Sequence, residues 1–300
     1  MNQEILKIKK YAAIDIGSNA MRLLITNIVE QEGKTTQFNK SSLVRVPIRL
    51  GQDSFTIGEI SNENISRMTD AMKAFSLLMK VHKVEEYSAF ATSAMREANN
   101  SKEIVDLIKK NANINIEIID GKKEAIIIAS TDLFHLLKSD KTYLYVDVGG
   151  GSTEFSLFSN GKIVISKSFK AGTVRLLNKM VSELVWQEME IWIKENTKEY
   201  DEVTLIGSGG NINKLFKMSG KLQEKPLSYI YLNSQYVFLN SLTYEQRISQ
   251  LGLNPDRADV IIPATQIYLN AMKWSGARNI YVPKIGLSDG IVKAMYYGKI

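Results

Sequence analysis

The stretch Tyr143-Leu-Tyr-Val-Asp147-Val-Gly149-Gly150-Gly151-Ser152-Thr153-Glu154 decides the fold, because a variant of it stands earlier in the chain as Tyr11-Ala-Ala-Ile-Asp15-Ile-Gly17-Ser18-Asn19. Each copy is an apolar run ending in Asp, then a turn of small residues, then a second apolar run: Met21–Val29 in one case and Thr153–Phe158 in the other. The pattern predicts a strand that carries a carboxylate to its tip, a tight turn and a return strand. Backbone N–H groups in such a turn form an anion-binding concavity, and the adjacent Asp can hold a hard cation directly or through water. Two copies facing each other would grip a phosphate chain from both sides.

A lone Asp-x-Gly turn says little, and Asp15-Ile-Gly-Ser-Asn19 on its own fits a structural turn. The second copy says more. Three consecutive glycines after an apolar strand cost roughly 0.5–1 kcal/mol each relative to Ala, a cost that makes sense where a ligand must approach the backbone closely. Neither turn has the Gly-Lys-Ser/Thr of a Walker loop. Neither opens a crossover helix as Gly-x-Gly-x-x-Gly does, because strand-like residues follow both. A third turn, Gly207-Ser-Gly209-Gly-Asn211, lies between an expected strand and helix. It suits nucleotide phosphate, base or ribose, or a plain strand-to-helix connection.

Bulk properties narrow the classes. A length of 300 residues favours two domains. With no cysteine there is no disulfide, thiolate metal site or cysteine nucleophile, and the two histidines, His82 and His135, argue against a histidine-rich metal site. Met1–Lys10 lacks the apolar stretch of a signal peptide, and no run reaches the ~18 apolar residues of a membrane helix. A cytoplasmic protein is expected. The net charge of +6 suits a binder of polyanions. Between Phe155 and Ser182 there is no acid, while Lys162, Lys167, Lys170, Arg175 and Lys179 appear. This is either a solvated face or a positively charged track.

The coarse pattern alternates strands and helices. Strands are expected at 11–16, 21–29, 35–39 and 43–50, with turns at Glu32-Gly33-Lys34 and Asn39–Ser42. A helix is expected from about Asn62 to Val81, with Ser61 or Asn62 as its cap, and a strand at 87–92. A short helix at Ser93–Asn99 precedes a capping box of Asn100 and Glu103 that opens a helix to about Asn111. A strand at Asn115–Ile119 leads into a helix from Lys122 to Leu137. The second half restarts with strands at 143–148, 153–158 and 162–169, helices at 173–179 and 182–198, and a strand Glu202–Ile206. A helix Asn211–Met218, a strand Asn279–Val282 and a helix near Asp289–Tyr297 follow. The restart implies duplication, hence two α/β domains with a cleft between them. The first would span 1–122 with 289–300 returning to it, and the second 123–288.

Glu124 sits in the first turn of the expected 122–137 helix, where acids suit the macrodipole; its place between the halves gives it a second meaning. Arg22 leaves the first turn and Arg96 sits in Ala91-Thr-Ser-Ala-Met-Arg96, and arginine's planar fork suits phosphate oxygens.

With the paired turns, the Thr92–Arg96 segment, Lys123-Glu124-Ala125, the Gly207 turn and Leu-Ser288-Asp289-Gly290 in this order, the chain resembles the exopolyphosphatase and guanosine pentaphosphate phosphohydrolase family. The resemblance implies an α/β fold of two ribonuclease H-like domains with an interdomain cleft, in the actin, sugar kinase and Hsp70 ATPase superfamily. It implies hydrolysis of the terminal phosphoanhydride of inorganic polyphosphate, or of the 5′-phosphate of guanosine pentaphosphate, with Mg²⁺ and Mn²⁺ as a possible substitute. The guanosine nucleotides would link it to the stringent response. Carried over by position, Glu124 looks like the general base, Arg96 a charge stabiliser, and Asp147 the metal-associated carboxylate with Asp15 and Glu154 as helpers. Backbone around Gly17, Ser18 and Asn19 and around Gly149, Gly150, Gly151 and Ser152 would hold phosphates, with Gly209. Arg22 and Arg257 match positions associated with guanosine tetraphosphate or substrate phosphates. No nucleic-acid or membrane partner is expected, and a homodimer is left open.

The chain departs from the family where many relatives carry acids before the catalytic position and it has Lys122 and Lys123. Longer relatives also carry a C-terminal helical domain with His-Asp motifs, which is not expected here. Two other readings compete: a small-molecule kinase of the same superfamily, and a non-catalytic guanosine tetraphosphate-binding regulator or filament former.

Overall fold

Strand β1 (Leu6–Ile16) is buried continuously from Tyr11 to Ile16, so its apolar run does not alternate. That is the signature of a strand covered on both faces. In the computed structural model, which describes residues 6–131 and 141–300, β1 is the central strand of a five-stranded sheet. It pairs antiparallel with β2 (Met21–Gln31), which pairs antiparallel with β3 (Gln37–Val46). On its other side lie β4 (Glu86–Ala91) and β5 (Ile116–Ile118), both parallel to it. The order is β3-β2-β1-β4-β5.

The second sheet repeats this plan. β6 (Thr142–Val148), β7 (Thr153–Ser159) and β8 (Lys162–Phe169) form the antiparallel meander, while β9 (Val203–Ser208) and β11 (Asn279–Tyr281) run parallel to β6. A two-residue strand, β10 (Leu227–Ser228), extends the far edge. The shared order matches the ribonuclease H-like arrangement that the family resemblance implies.

The chain divides into two units, Met1–Thr131 with Leu287–Ile300, and Asp132–Gly286. The first holds helices α1 (Leu50–Ile57), α2 (Asn62–Val81), α3 (Ser93–Glu97), α4 (Ser101–Ala112), α5 (Gly121–Ala129) and α13 (Leu287–Tyr296). The expected boundary at 122–123 falls inside α5. Ile127 of α5 is buried with Ile291 and Val292 of α13 and with Tyr11, Leu24 and Phe90 of the sheet, so the division lies at 131–132. The returning segment likewise begins at Leu287 rather than 289. Gly290 permits this packing, since a Cβ there would lie 2.4 Å from the Ile127 carbonyl oxygen. On α2 and α4, Met68, Met72, Phe75, Ile104 and Ile108 are buried at helical spacing.

The second unit holds α6 (Thr173–Leu177), α7 (Glu183–Thr197), α8 (Gly210–Met218), α9 (Tyr229–Ser241), α10 (Tyr244–Ser249), α11 (Pro255–Ala258) and α12 (Ile261–Ser275). Its core centres on Phe155, Phe169 and Trp192, whose ring centroids lie 5.8–6.1 Å apart. Buried residues of α12, among them Ile267 and Met272, join the same cluster.

Several expectations shift. The strands placed at 35–39 and 43–50 are one strand, and the turn at Asn39–Ser42 is a bulge: Ile25 faces Ser42 while Thr26 faces Lys40. Leu50, expected to end a strand, instead opens helix α1. Asn100 precedes α4 without capping it; its side chain instead bonds both backbone groups of Ile60. His135 and the later part of the expected Lys122–Leu137 helix lie outside the described residues.

Candidate active site

In the first unit, the tip of the β1–β2 hairpin is closed by Gly17 N–H donating to the Ala20 carbonyl at 3.1 Å. Asp15 and Arg22 are register partners across the ladder, and Arg22 Nη1 reaches Asp15 Oδ2 at 2.7 Å. The carboxylate is buried while the guanidinium is partly exposed. Two further elements brace the turn. Gly51 N–H, at the start of α1, donates to the Ser18 carbonyl at 2.8 Å, and the Ser18 and Ser93 hydroxyls lie 2.9 Å apart. Arg96, on α3, donates to the Ile119 carbonyl at 2.5 Å, which ties it to the end of β5.

Asp120 caps α5, its side chain accepting from Lys123 N–H at 2.8 Å. That fixes the first helical turn and with it Glu124, which is only 8% exposed. Of the two lysines that break the family pattern, Lys123 is drawn to Glu117, 2.6 Å away, with its Nζ over the Phe90 ring.

In the second unit, the Gly149–Ser152 turn is held by the start of α6. Gly149 N–H donates to the Ser152 carbonyl at 3.0 Å, closing the hairpin. The carbonyls of Gly149 and Gly150 accept from Thr173 and Val174 N–H at 3.0 and 2.8 Å, and that of Gly151 from Arg175 Nε at 2.8 Å. All three carbonyls are therefore committed to the start of α6. Among the described residues, the N–H groups of Gly150 and Gly151 have no backbone acceptor, as an anion-accepting turn requires. Gly172 makes this contact feasible: a Cβ there would lie 2.3 Å from Gly150 backbone atoms.

The two hairpins differ in charge. Where Asp15 faces Arg22, Asp147 faces Glu154. Directly opposed side chains have Cβ atoms about 4.5–5.5 Å apart, so the second hairpin presents two acids on one face. Glu154 accepts from the Ser152 and Ser168 hydroxyls at 2.5 and 3.0 Å, and Asp147 Oδ2 accepts from the Tyr145 hydroxyl at 3.3 Å. Among the described residues no three His, Cys, Asp or Glu side chains gather as a metal cage. Two carboxylates without nitrogen or sulfur donors still fit Mg²⁺, which is commonly held by one or two carboxylates together with substrate phosphates.

The third turn lies against this pair. Gly209 adopts φ +116°, a conformation open to glycine, and a Cβ there would be 3.6 Å from Asp147 Oδ1. Tyr268, fully buried on α12, donates to the Ser208 carbonyl. Burial pushes the phenols of Tyr145 and Tyr268 well above the ordinary tyrosine value, and the charge of Asp147 adds to it. Beside the turn, Lys214, Lys217 and Arg257 line a cavity of about 310 Å³ with Asn213 and Asn254. Desolvation lowers the Lys214 pKa, and the charges of Lys217 and Arg257 lower it further.

Asp15, Gly17, Ser18, Asn19 and Arg22 thus belong to one hairpin tip, while Asp147, Gly149–Ser152, Glu154 and Gly209 gather in the other unit. Arg257 lies by the third turn, its guanidinium 3.2 Å from where a Gly210 Cβ would be. The sequence left Gly172, Tyr145, Tyr268, Lys214 and Lys217 without a role. Arg175 was counted in the basic track, yet it is buried and holds the glycine turn. Its only signal was its place shortly after Gly172.

A model of the Ppx/GppA phosphatase family matches residues 28–297. The chain belongs to the Ppx/GppA phosphatase family. Among relatives in this family, exopolyphosphatase 2 of Mycobacterium tuberculosis is 24% identical, the alignment covering 97% of this chain and 99% of that one. A bifunctional 3-dehydroquinate synthase/phosphatase of Fusobacterium nucleatum is 30% identical over 96% of this chain, which spans only 46% of that longer protein. The crystal structure of an exopolyphosphatase from Cytophaga hutchinsonii has a TM-score of 0.84 at 26% identity, covering 97% of this chain and 98% of that one. The Aquifex aeolicus family member has the same fold, with a TM-score of 0.75 at 23% identity over 98% and 99% of the two chains. No helix among the described residues is long and apolar enough to cross a membrane.

Proposed function

We propose that this protein is a Mg²⁺-dependent exopolyphosphatase that releases orthophosphate from the end of inorganic polyphosphate. The observation that carries this reading is the opposed Asp147–Glu154 pair beside a turn whose Gly150 and Gly151 N–H groups point to no backbone acceptor. Phosphoryl transfer asks mainly for positioning and charge neutralisation. Gly149–Ser152 and Gly17–Asn19 would each hold phosphate oxygens through backbone N–H groups. Arg22 would add a cation at the first turn, and Arg96 a cation near the end of β5. Asp147, with Glu154, would hold Mg²⁺, which when bound neutralises charge on the leaving phosphates. Asp15 is the weaker metal candidate because Arg22 already occupies it. Glu124, desolvated in the first turn of a capped helix, would orient and deprotonate the attacking water. A positioned carboxylate base contributes about 10²–10⁴-fold. A cytoplasmic location belongs to the same proposal.

A second substrate is favoured by the Lys214–Lys217–Arg257 cavity, whose three cations suit the clustered phosphates of guanosine pentaphosphate or tetraphosphate. The deciding experiment measures phosphate release from polyphosphates of several lengths, guanosine pentaphosphate and ATP, with and without Mg²⁺. Release from polyphosphate that needs Mg²⁺ and no acceptor supports the hydrolase. Transfer only to an added acceptor would identify a kinase, and tight guanosine tetraphosphate binding without turnover a regulator.

A further inference from the structure

Asp147 stands at the tip of β6, where a carboxylate could swing between rotamers, yet two buried phenols converge beneath it. Tyr145 precedes it by two residues and so projects from the same face of the strand. Its hydroxyl lies 3.3 Å from Asp147 Oδ2. Tyr268 arrives from α12, and its hydroxyl donates to the carbonyl of Ser208, the residue paired with Asp147 on β9. Gly209 is the meeting point: a Cβ there would lie 3.4 Å from the Tyr268 oxygen and 3.6 Å from Asp147 Oδ1. One phenol thus engages the carboxylate while the other fixes the glycine that borders it.

We infer that Tyr145 and Tyr268 are positioning residues that hold the Asp147 carboxylate and the third glycine turn in the one arrangement that receives a divalent cation. The inference rests on the proposed role of Asp147 as a cation ligand. Two features set the arrangement apart from ordinary core packing. A buried phenol needs a single hydrogen-bond partner, and a backbone carbonyl would satisfy each of them. Tyr145 instead takes two side chains, the strand-tip acid and the hydroxyl of Ser208. Phenylalanine at both positions would fill the same volume in the core without any hydroxyl to satisfy. Removing a side chain that hydrogen-bonds a metal-binding carboxylate typically changes metal affinity 10–100-fold.

The test is direct Mn²⁺ binding, followed by the electron paramagnetic resonance of free Mn²⁺ in the absence of substrate. The full chain, Tyr145→Phe, Tyr268→Phe and a reference Asp147→Asn are compared, with phosphate release from polyphosphate titrated against metal in parallel. The expected result is Mn²⁺ binding weakened about 10-fold or more in Tyr145→Phe, with turnover largely restored at saturating metal. Such a split between metal affinity and turnover is one that a general loss of packing would not give. Tyr268→Phe leaves the Ser208 carbonyl without its donor, so if that variant unfolds, Tyr145→Phe decides. Wild-type Mn²⁺ affinity in Tyr145→Phe alongside lost affinity in Asp147→Asn overturns the positioning role and leaves the metal assignment standing. Unchanged affinity in Asp147→Asn overturns both.

Discussion

Asp15 and Arg22 are joined across the β1–β2 ladder by a 2.7 Å ion pair in which the acid is buried and the base partly exposed. Removing the guanidinium would leave a buried carboxylate without its counter-charge. Arg22→Gln is expected to destabilise the fold by about 1–3 kcal/mol, less than a fully buried pair because water reaches the arginine. Urea unfolding measures it. The same variant should raise KM for polyphosphate, and an unchanged midpoint together with an unchanged KM would remove Arg22 from both roles.

Glu124→Gln keeps size and helix propensity but cannot take a proton. Turnover is expected to fall by at least ~100-fold while the melting temperature stays near that of the parent. Near-normal phosphate release from this variant would show that another group deprotonates the water.

Gly172→Ala places a methyl group 2.3 Å from Gly150 backbone atoms, a contact that backbone must move to relieve. Overpacking of this kind costs about 1–3 kcal/mol. The larger consequence is expected in kcat/KM, because the displaced segment carries the Gly150 and Gly151 N–H groups. Steady-state kinetics beside thermal unfolding separates the two effects.

Lys214 gives the basic cavity a pH signature. Its folded-state pKa is lowered, first by desolvation and then by Lys217 and Arg257, so it loses its proton at lower pH than an ordinary lysine. Guanosine tetraphosphate binding should therefore begin to weaken below the usual lysine range as pH rises. The sign for stability is opposite: the unfolded chain binds more protons in that window, so raising pH relieves a strain. Lys217→Gln removes one of the two repelling charges. It should move the loss of binding to higher pH while weakening binding at neutral pH, as calorimetric titration at several pH values would record.

Much of this architecture was legible because local pattern and global role coincide. The runs ending at Asp15 and Asp147 are central strands in both units, and Ser61 caps α2 as its type suggests. The misplacements have physical causes. Leu50 reads as a strand end because Ile48 and Leu50 continue the apolar pattern, yet Pro47 stops β3 at Val46 and α1 opens at Leu50, with Gly51 N–H bonded to the Ser18 carbonyl. Asn100 looked like a cap because its spacing to Glu103 is right, but Ile60 competes for its side chain. Arg175 and Tyr268 act through the carbonyls of Gly151 and Ser208, remote from them in sequence, and no periodicity encodes that. The charge contrast between the hairpins was already written at Arg22 and Glu154. It became visible only once register placed each opposite its Asp.

The packing of Ile127 against Ile291 and Val292 has a consequence for biogenesis. A nascent chain emerges from its N-terminus, and domains usually condense as they appear. Here the opening half of the polypeptide must wait, with Tyr11, Leu24 and Phe90 incompletely covered, until translation has delivered the segment beyond Leu287. The later-encoded unit is thus positioned to mature first, and ribosome-bound intermediates should expose the apolar face that α13 eventually seals.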